Sequence, residues 1–171
     1  MISLTWMVKD IERIKILVNP TITPKQLFSF YERNDICEKN FGIEVASKVL
    51  YHSSLIVGAF CEDELIGIAR AMFDGCSAVI MEFSLDLRYQ GENLKFNNGS
   101  LIEKDGSGIG EKMGNILLNE QLSMGATFIS CHILGGYEEE FYQSLGFRHN
   151  KGILSYYIDK RPYVIGTEQQ K

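Results

Sequence analysis

The stretch Gly106-Ser107-Gly108-Ile109-Gly110 lies between a strand-like run and a helical pattern, and it constrains the fold more than any other part of the chain. The strand side reads Ala78-Val79-Ile80-Met81-Glu82-Phe83-Ser84-Leu85-Asp86-Leu87, and the helical side covers residues 111–121. A glycine-rich bend that opens onto a helix N-terminus gathers N–H groups with no helical partner, and the dipole adds about half a positive charge there. Such a bend is an anion cradle, so the sequence points to a phosphate-bearing ligand. Two nucleotide loops are excluded by spacing. Both a Walker loop and a dinucleotide fingerprint counted from Gly106 require glycine where Glu111 stands.

A length of 171 residues is expected to make one domain, 1–171, with its core at about 14–160. With 45% hydrophobic and 23% charged residues, the composition is that of a soluble globular protein. A net charge of -5 argues against nucleic acid as a partner. It leaves a phosphorylated ligand open, because long-range repulsion fades within about 8 Å, whereas each local N–H to phosphate bond contributes roughly 1.5–3 kcal/mol. The four cysteines, Cys37, Cys61, Cys76 and Cys131, are too scattered for a metal site and read as reduced thiols in or near the core. Residues 1–8 are apolar but short and lack a basic lead-in, so neither a signal peptide nor a membrane span is expected. The expected location is cytoplasmic.

Along the chain, 14–18 reads as a strand stopped by Asn19-Pro20. Thr23-Pro24 is an N-cap with proline at the first helical position, so a helix is predicted over 24–33. A second helix is predicted over 43–51. Strands follow at 54–60 and 64–73, joined by the short Cys61-Glu62-Asp63 turn, and Asp74-Gly75 leads into the 78–87 strand. After the central helix come a strand at 126–133, a helix at 137–145 closed by Gly146 as a left-handed cap, and strands at 147–148 and 153–158. The fold class is α/β (α+β), a mixed sheet with helices packed on it.

Four segments carry a resemblance. Leu65-Ile66-Gly67-Ile68-Ala69-Arg70 with Asp74-Gly75, then Glu82-Phe83-Ser84-Leu85, then Gly108-Ile109-Gly110, and finally Phe141-Tyr142-Gln143-Ser144-Leu145-Gly146-Phe147 occur in this order. Together they resemble the GNAT acetyltransferases over roughly 14–160. The resemblance implies the acyl-CoA N-acyltransferase fold, with a mostly antiparallel central sheet and flanking helices, and acetyl-CoA as co-substrate without a metal. It places the pantetheine arm along the strand at Phe83, Ser84 and Leu85, with an N–H near Leu85 facing the oxyanion. It places the pyrophosphate on Gln90, Gly91, Gly106, Ser107, Gly108, Ile109, Gly110 and Glu111.

In that family the strand and the glycine loop are continuous, as in Y-Q-G-x-G-I-G. Here Tyr89-Gln90-Gly91 supplies one half and Ser107-Gly108-Ile109-Gly110 the other, with residues 92–106 between them. Either Gly91 or Gly106 is the native loop glycine, and Asp105 occupies the R/Q position on the second reading. The insertion is hairpin-like, either a surface hairpin or a lid. Gly135 replaces an asparagine that the family often carries before its last helix.

Acetyl transfer to an amine needs a proton acceptor, since an alkylammonium near pKa 10.4 lies about three units above neutrality. Glu82, charged within an apolar strand, is either that base or a solvent-facing residue. Tyr142 is either the donor to the leaving thiolate or a core aromatic with its hydroxyl at the surface. Phe28 and Tyr31 are expected to line the acceptor, a small-molecule or peptide amine. Cys131 and His132, adjacent on a strand, point to opposite faces and form no catalytic pair. Glu138-Glu139-Glu140 read as acids favoured at a helix start. The competing function is a non-catalytic acyl-CoA-binding module; the expected assembly is a monomer or homodimer.

Overall fold

The computed structural model describes residues 13–36, 42–156 and 158. β1 (Ile14–Val18), β2 (Leu55–Cys61), β3 (Glu64–Phe73), β4 (Ser77–Leu85) and β5 (Phe128–Cys131) form one sheet in sequence order. The first three pairings are antiparallel and β4–β5 is parallel. Short turns at 62–63 and 74–76 return the chain beside itself, which forces the antiparallel pairs. The return to β5 passes through a helix, which is what a parallel neighbour requires. The mixed, mostly antiparallel sheet expected from the sequence is the sheet observed.

Helix α1 (Pro24–Arg33) starts with a reciprocal capping box: the Gln26 amide donates to the Thr23 hydroxyl at 3.1 Å and the Thr23 amide to Gln26 Oε1 at 3.0 Å. With α2 (Ile43–His52) it covers one face of the sheet, burying Leu27, Phe30 and Tyr31 against Ile56, Phe60 and Ile68. The other face is covered by α4 (Ile109–Ser123) and α5 (Glu139–Ser144), where Met113, Leu117, Phe141 and Tyr142 pack on Phe83 and Leu85. Gly114 allows the close approach of α4 to the end of α5, since a Cβ there would lie 2.5 Å from Leu145 Cδ1.

Several sequence expectations are corrected. The 78–87 strand ends at Leu85, because the Asp86 side chain accepts from the Arg88 amide at 3.0 Å and starts a helical turn, α3 (Leu87–Gln90). The 92–106 insertion is no hairpin. It runs through turns and bends, with Asn93 and Asn97 at positive φ, and it buries Asn98, Gly99, Leu101 and Ile102. Neither Phe147-Arg148 nor residues 153–156 and 158 are strands; Leu154 and Tyr156 are exposed, and β-propensity without a partner strand does not make one. Cys76 is exposed in the β3–β4 turn, outside the core, while Cys61 and Cys131 are half-buried. The expectations for residues 1–12, for Cys37 and for Tyr157 lie outside the described residues.

Candidate active site

The site begins at an irregularity in β4. Arg70 pairs with Glu82 but Ala71 pairs with Ile80, so Met81 is an extra residue, a β-bulge. Pairing with β5 stops at the same level, at Ile80 and Cys131. Beyond it no strand among the described residues lies beside the edge of β4 that faces away from β3. The Asp86 amide donates to Ile66 O on β3, so alternation turns the amides of Leu85 and Phe83 to this open edge. The edge leads straight to the glycine bend.

Residues 92–105 reach that edge at Leu85. The Leu85 amide donates to Gly99 O at 2.9 Å, and the Gly99 amide donates to Asn34 O at 2.8 Å. The amide expected to face an oxyanion therefore holds a carbonyl of the insertion. Asn98 donates to Asp35 O, and the Ile102 amide donates to Glu138 Oε1 at 3.0 Å. Glu103 closes the segment on itself, accepting from the amides of Lys95 and Phe96.

The glycine bend is satisfied by its own chain. Gly108, at φ +71, turns the backbone into α4. Asp105 then caps the helix: its carboxylate accepts from the Gly110 amide at 3.1 Å and the Glu111 amide at 2.7 Å. The Ile109 amide donates to Ser107 Oγ, and the Gly106 and Ser107 amides donate to Gln90 O and Tyr89 O. In this arrangement the bend does not fit a diphosphate, because a carboxylate already holds the helix N-terminus. The two ends of the insertion meet: a Cβ on Gly106 would lie 2.9 Å from Gln90 O. Gln90 is fully buried; its Nε2 donates to Leu85 O and its Oε1 has no partner among the described residues.

Glu82 lies on the α1–α2 face. Its Oε2 accepts from Tyr31 Oη at 2.7 Å and Arg70 Nε at 2.5 Å, and its Oε1 accepts from Ser84 Oγ at 2.8 Å. It is not a solvent-facing residue, for its side chain is only 9% exposed. Burial works against the Arg70 charge, but the charge and hydrogen bond of Glu82 and the contact with Tyr31 outweigh it, so the Arg70 pKa is raised. Tyr31 thus joins Glu82, whereas Phe28 is half-buried in the α1–α2 core.

Tyr142 belongs to the opposite face, with its ring against Phe83, Phe141 and Phe147. Burial first, then the charges of Glu138 and Cys131, push its phenol well above the ordinary range. The Cys131 thiol is pushed up to about 11 by burial and Glu138. Glu138 stands at a helix start, as read from the sequence, but its carboxylate does not cap that helix. It is buried, its carboxylate accepts from the amides of Ile102 and Leu134, and burial raises its pKa. Sequence offered no signal for it, since three consecutive glutamates look alike.

Among the described residues no helix is long and apolar enough to cross a membrane, and no group of three His, Cys, Asp or Glu side chains is disposed to hold a metal ion. No family model and no curated protein sequence matches the chain. Solved structures do. A GNAT-family acetyltransferase of Streptococcus pneumoniae superposes with a TM-score of 0.59 at 20% identity, covering 86% of this chain and 99% of that one. The chain has the GNAT acetyltransferase fold. An aminoglycoside acetyltransferase from an uncultured soil metagenomic sample gives 0.60 at 17% identity, over 88% of this chain and 98% of its own. Glucosamine-6-phosphate N-acetyltransferase from Arabidopsis thaliana gives 0.58 at 13% identity, over 85% and 99%. In this chain the 92–105 segment lies across the edge of β4 at Leu85 and into the glycine bend.

Proposed function

We propose that this chain is an N-acetyltransferase that moves the acetyl group of acetyl-CoA to a primary amine within a ternary complex. One observation carries the reading: β4 bulges at Met81, parts from β5, and leads along an open edge to a glycine bend and helix, in a fold shared with acetyltransferases. In the transfer the amine nitrogen bonds to the thioester carbonyl carbon, the C–S bond breaks, and the amine proton must leave. Freeing an alkylammonium proton at neutral pH costs roughly 4 kcal/mol.

Glu82 is the group we assign to that proton. Three donors occupy its carboxylate, which offers about four acceptor positions, so room for one further donor remains. Tyr142 stays protonated through the working pH range and donates a hydrogen bond to the departing sulfur. The two side chains sit on opposite faces of β4, so an acetyl group held at the strand edge would lie between them. Phe28 and Tyr31 belong to the acceptor side. The aminoglycoside and glucosamine-6-phosphate enzymes among the neighbours make an aminosugar the first acceptor class to try.

A second reading, a non-catalytic acyl-CoA-binding module, is favoured by the engagement of Glu82 in a buried ion pair. Thiol release from acetyl-CoA with a panel of amines separates the two. Acetyl transfer gives amine-dependent release that falls at least about 100-fold in Glu82→Gln. Binding without release for every amine, indifferent to Glu82→Gln and Tyr142→Phe, supports the module.

A further inference from the structure

We infer that residues 92–105 are an intramolecular stand-in for the acyl-carrier ligand, a strap that closes the groove and must be displaced before coenzyme A binds. The inference rests on the acetyltransferase reading and goes beyond it. Two separate contacts carry it. At one end of the groove the Gly99 carbonyl takes the Leu85 amide. At the other the Asp105 carboxylate takes the Gly110 and Glu111 amides at the helix N-terminus. A carbonyl and an anion supplied by the chain thus occupy the strand edge and the bend together.

The Gly99 and Asp105 contacts are hydrogen bonds that can part while the segment stays anchored by Ile102 in the core under α4 and α5. Gly99 also donates to Asn34 O, and Ile102 donates to the Glu138 carboxylate. Its two ends meet at the base, where the Gly106 amide donates to Gln90 O at 2.8 Å. This is the geometry of a closed loop whose removal leaves a short gap. Excision of 91–105 joins Gln90 to Gly106 and restores an uninterrupted Tyr-Gln-Gly-Ser-Gly-Ile-Gly, without Asp105. A ligand competing with a strap that is open only about 1–10% of the time binds more weakly by the reciprocal of that fraction.

The test is calorimetric titration of coenzyme A into the full chain, the 91–105 excision, and two point variants. Gly99→Ala wedges the strap away from its seat, since the new Cβ would lie 2.7 Å from Asn34 Cβ and 3.1 Å from Leu85 O. Asp105→Ala frees the helix amides. The expected result is binding about 10- to 100-fold tighter in the excision, with smaller gains in both point variants. Hydrogen exchange across 93–103 should also speed up when coenzyme A saturates the full chain. If the excision does not fold, the point variants and the exchange measurement decide. Equal or weaker binding in every folded variant, with exchange across 93–103 unmoved by saturating ligand, overturns the strap and leaves the acetyltransferase reading in place. Absence of coenzyme A binding in all folded forms overturns that reading, and the strap with it.

Discussion

Among single residues, Glu82 and Asp86 show how a buried carboxylate is made tolerable. Asp86 is buried and paired with the part-exposed Arg33 and Arg88; burial pulls its pKa up, but the hydrogen bonds of Arg88 and Arg33 and the charge of Arg88 win, and the pKa is lowered. A lowered acid stabilises the fold above its unfolded pKa near 3.8, and that contribution is lost as pH falls through the lower folded value. The Asp86 contribution to thermal stability should therefore hold level from neutrality to about pH 5 and decline below about pH 4. Asp86→Asn should flatten that decline and lower neutral stability by about 1–3 kcal/mol, because it weakens charge-assisted hydrogen bonds to two guanidinium groups that keep Glu64 as a partner. Tyr142→Phe should lower turnover without adding or removing an alkaline limb in the pH–rate profile, as a phenol pushed so high does not ionise in the working range. Maleimide labelling followed by peptide mass spectrometry should find Cys76 modified at neutral pH and Cys131 spared until unfolding, since one is exposed and the other keeps its proton up to about 11.

At the level of elements, legibility follows the range of the interaction that decides each one. The start of α1 was readable because Thr23, Pro24 and Gln26 settle it within four residues. Gly146 was readable for the same reason, its φ of 92 closing α5 locally. The insertion was not readable. Its position depends on Asn34, Leu85 and Glu138, which lie far from it in sequence, and on Ile102, whose side chain is fully buried in the α4–α5 core. A surface hairpin would tolerate truncation there with little effect. A core residue would not: Ile102→Ala should destabilise by about 2–5 kcal/mol in denaturant unfolding. A change below about 0.5 kcal/mol would return the segment to the class of passive surface loops.

At the scale of the whole molecule, the β2–β3–β4 neighbours were legible from the short turns that join them, whereas the strands read at 147–148 and 153–158 found no partner. The candidate site was legible in part. The order strand, bend, helix was legible, with Glu82 and Leu85 on β4 and the 106–110 bend leading into α4. What the sequence concealed is that the chain itself satisfies the β4 edge at Leu85 and the bend, because Gly99 and Asp105 reach them through closure of a loop rather than through a local pattern. A crystal structure of the full chain grown with coenzyme A tests this most directly. The expected density has the diphosphate on the 106–111 amides, Asp105 turned out of the helix N-terminus, and the Leu85 amide released from Gly99. Coenzyme A bound elsewhere, with Asp105 and Gly99 still in their present contacts, would contradict both the reaction and the residues assigned to it.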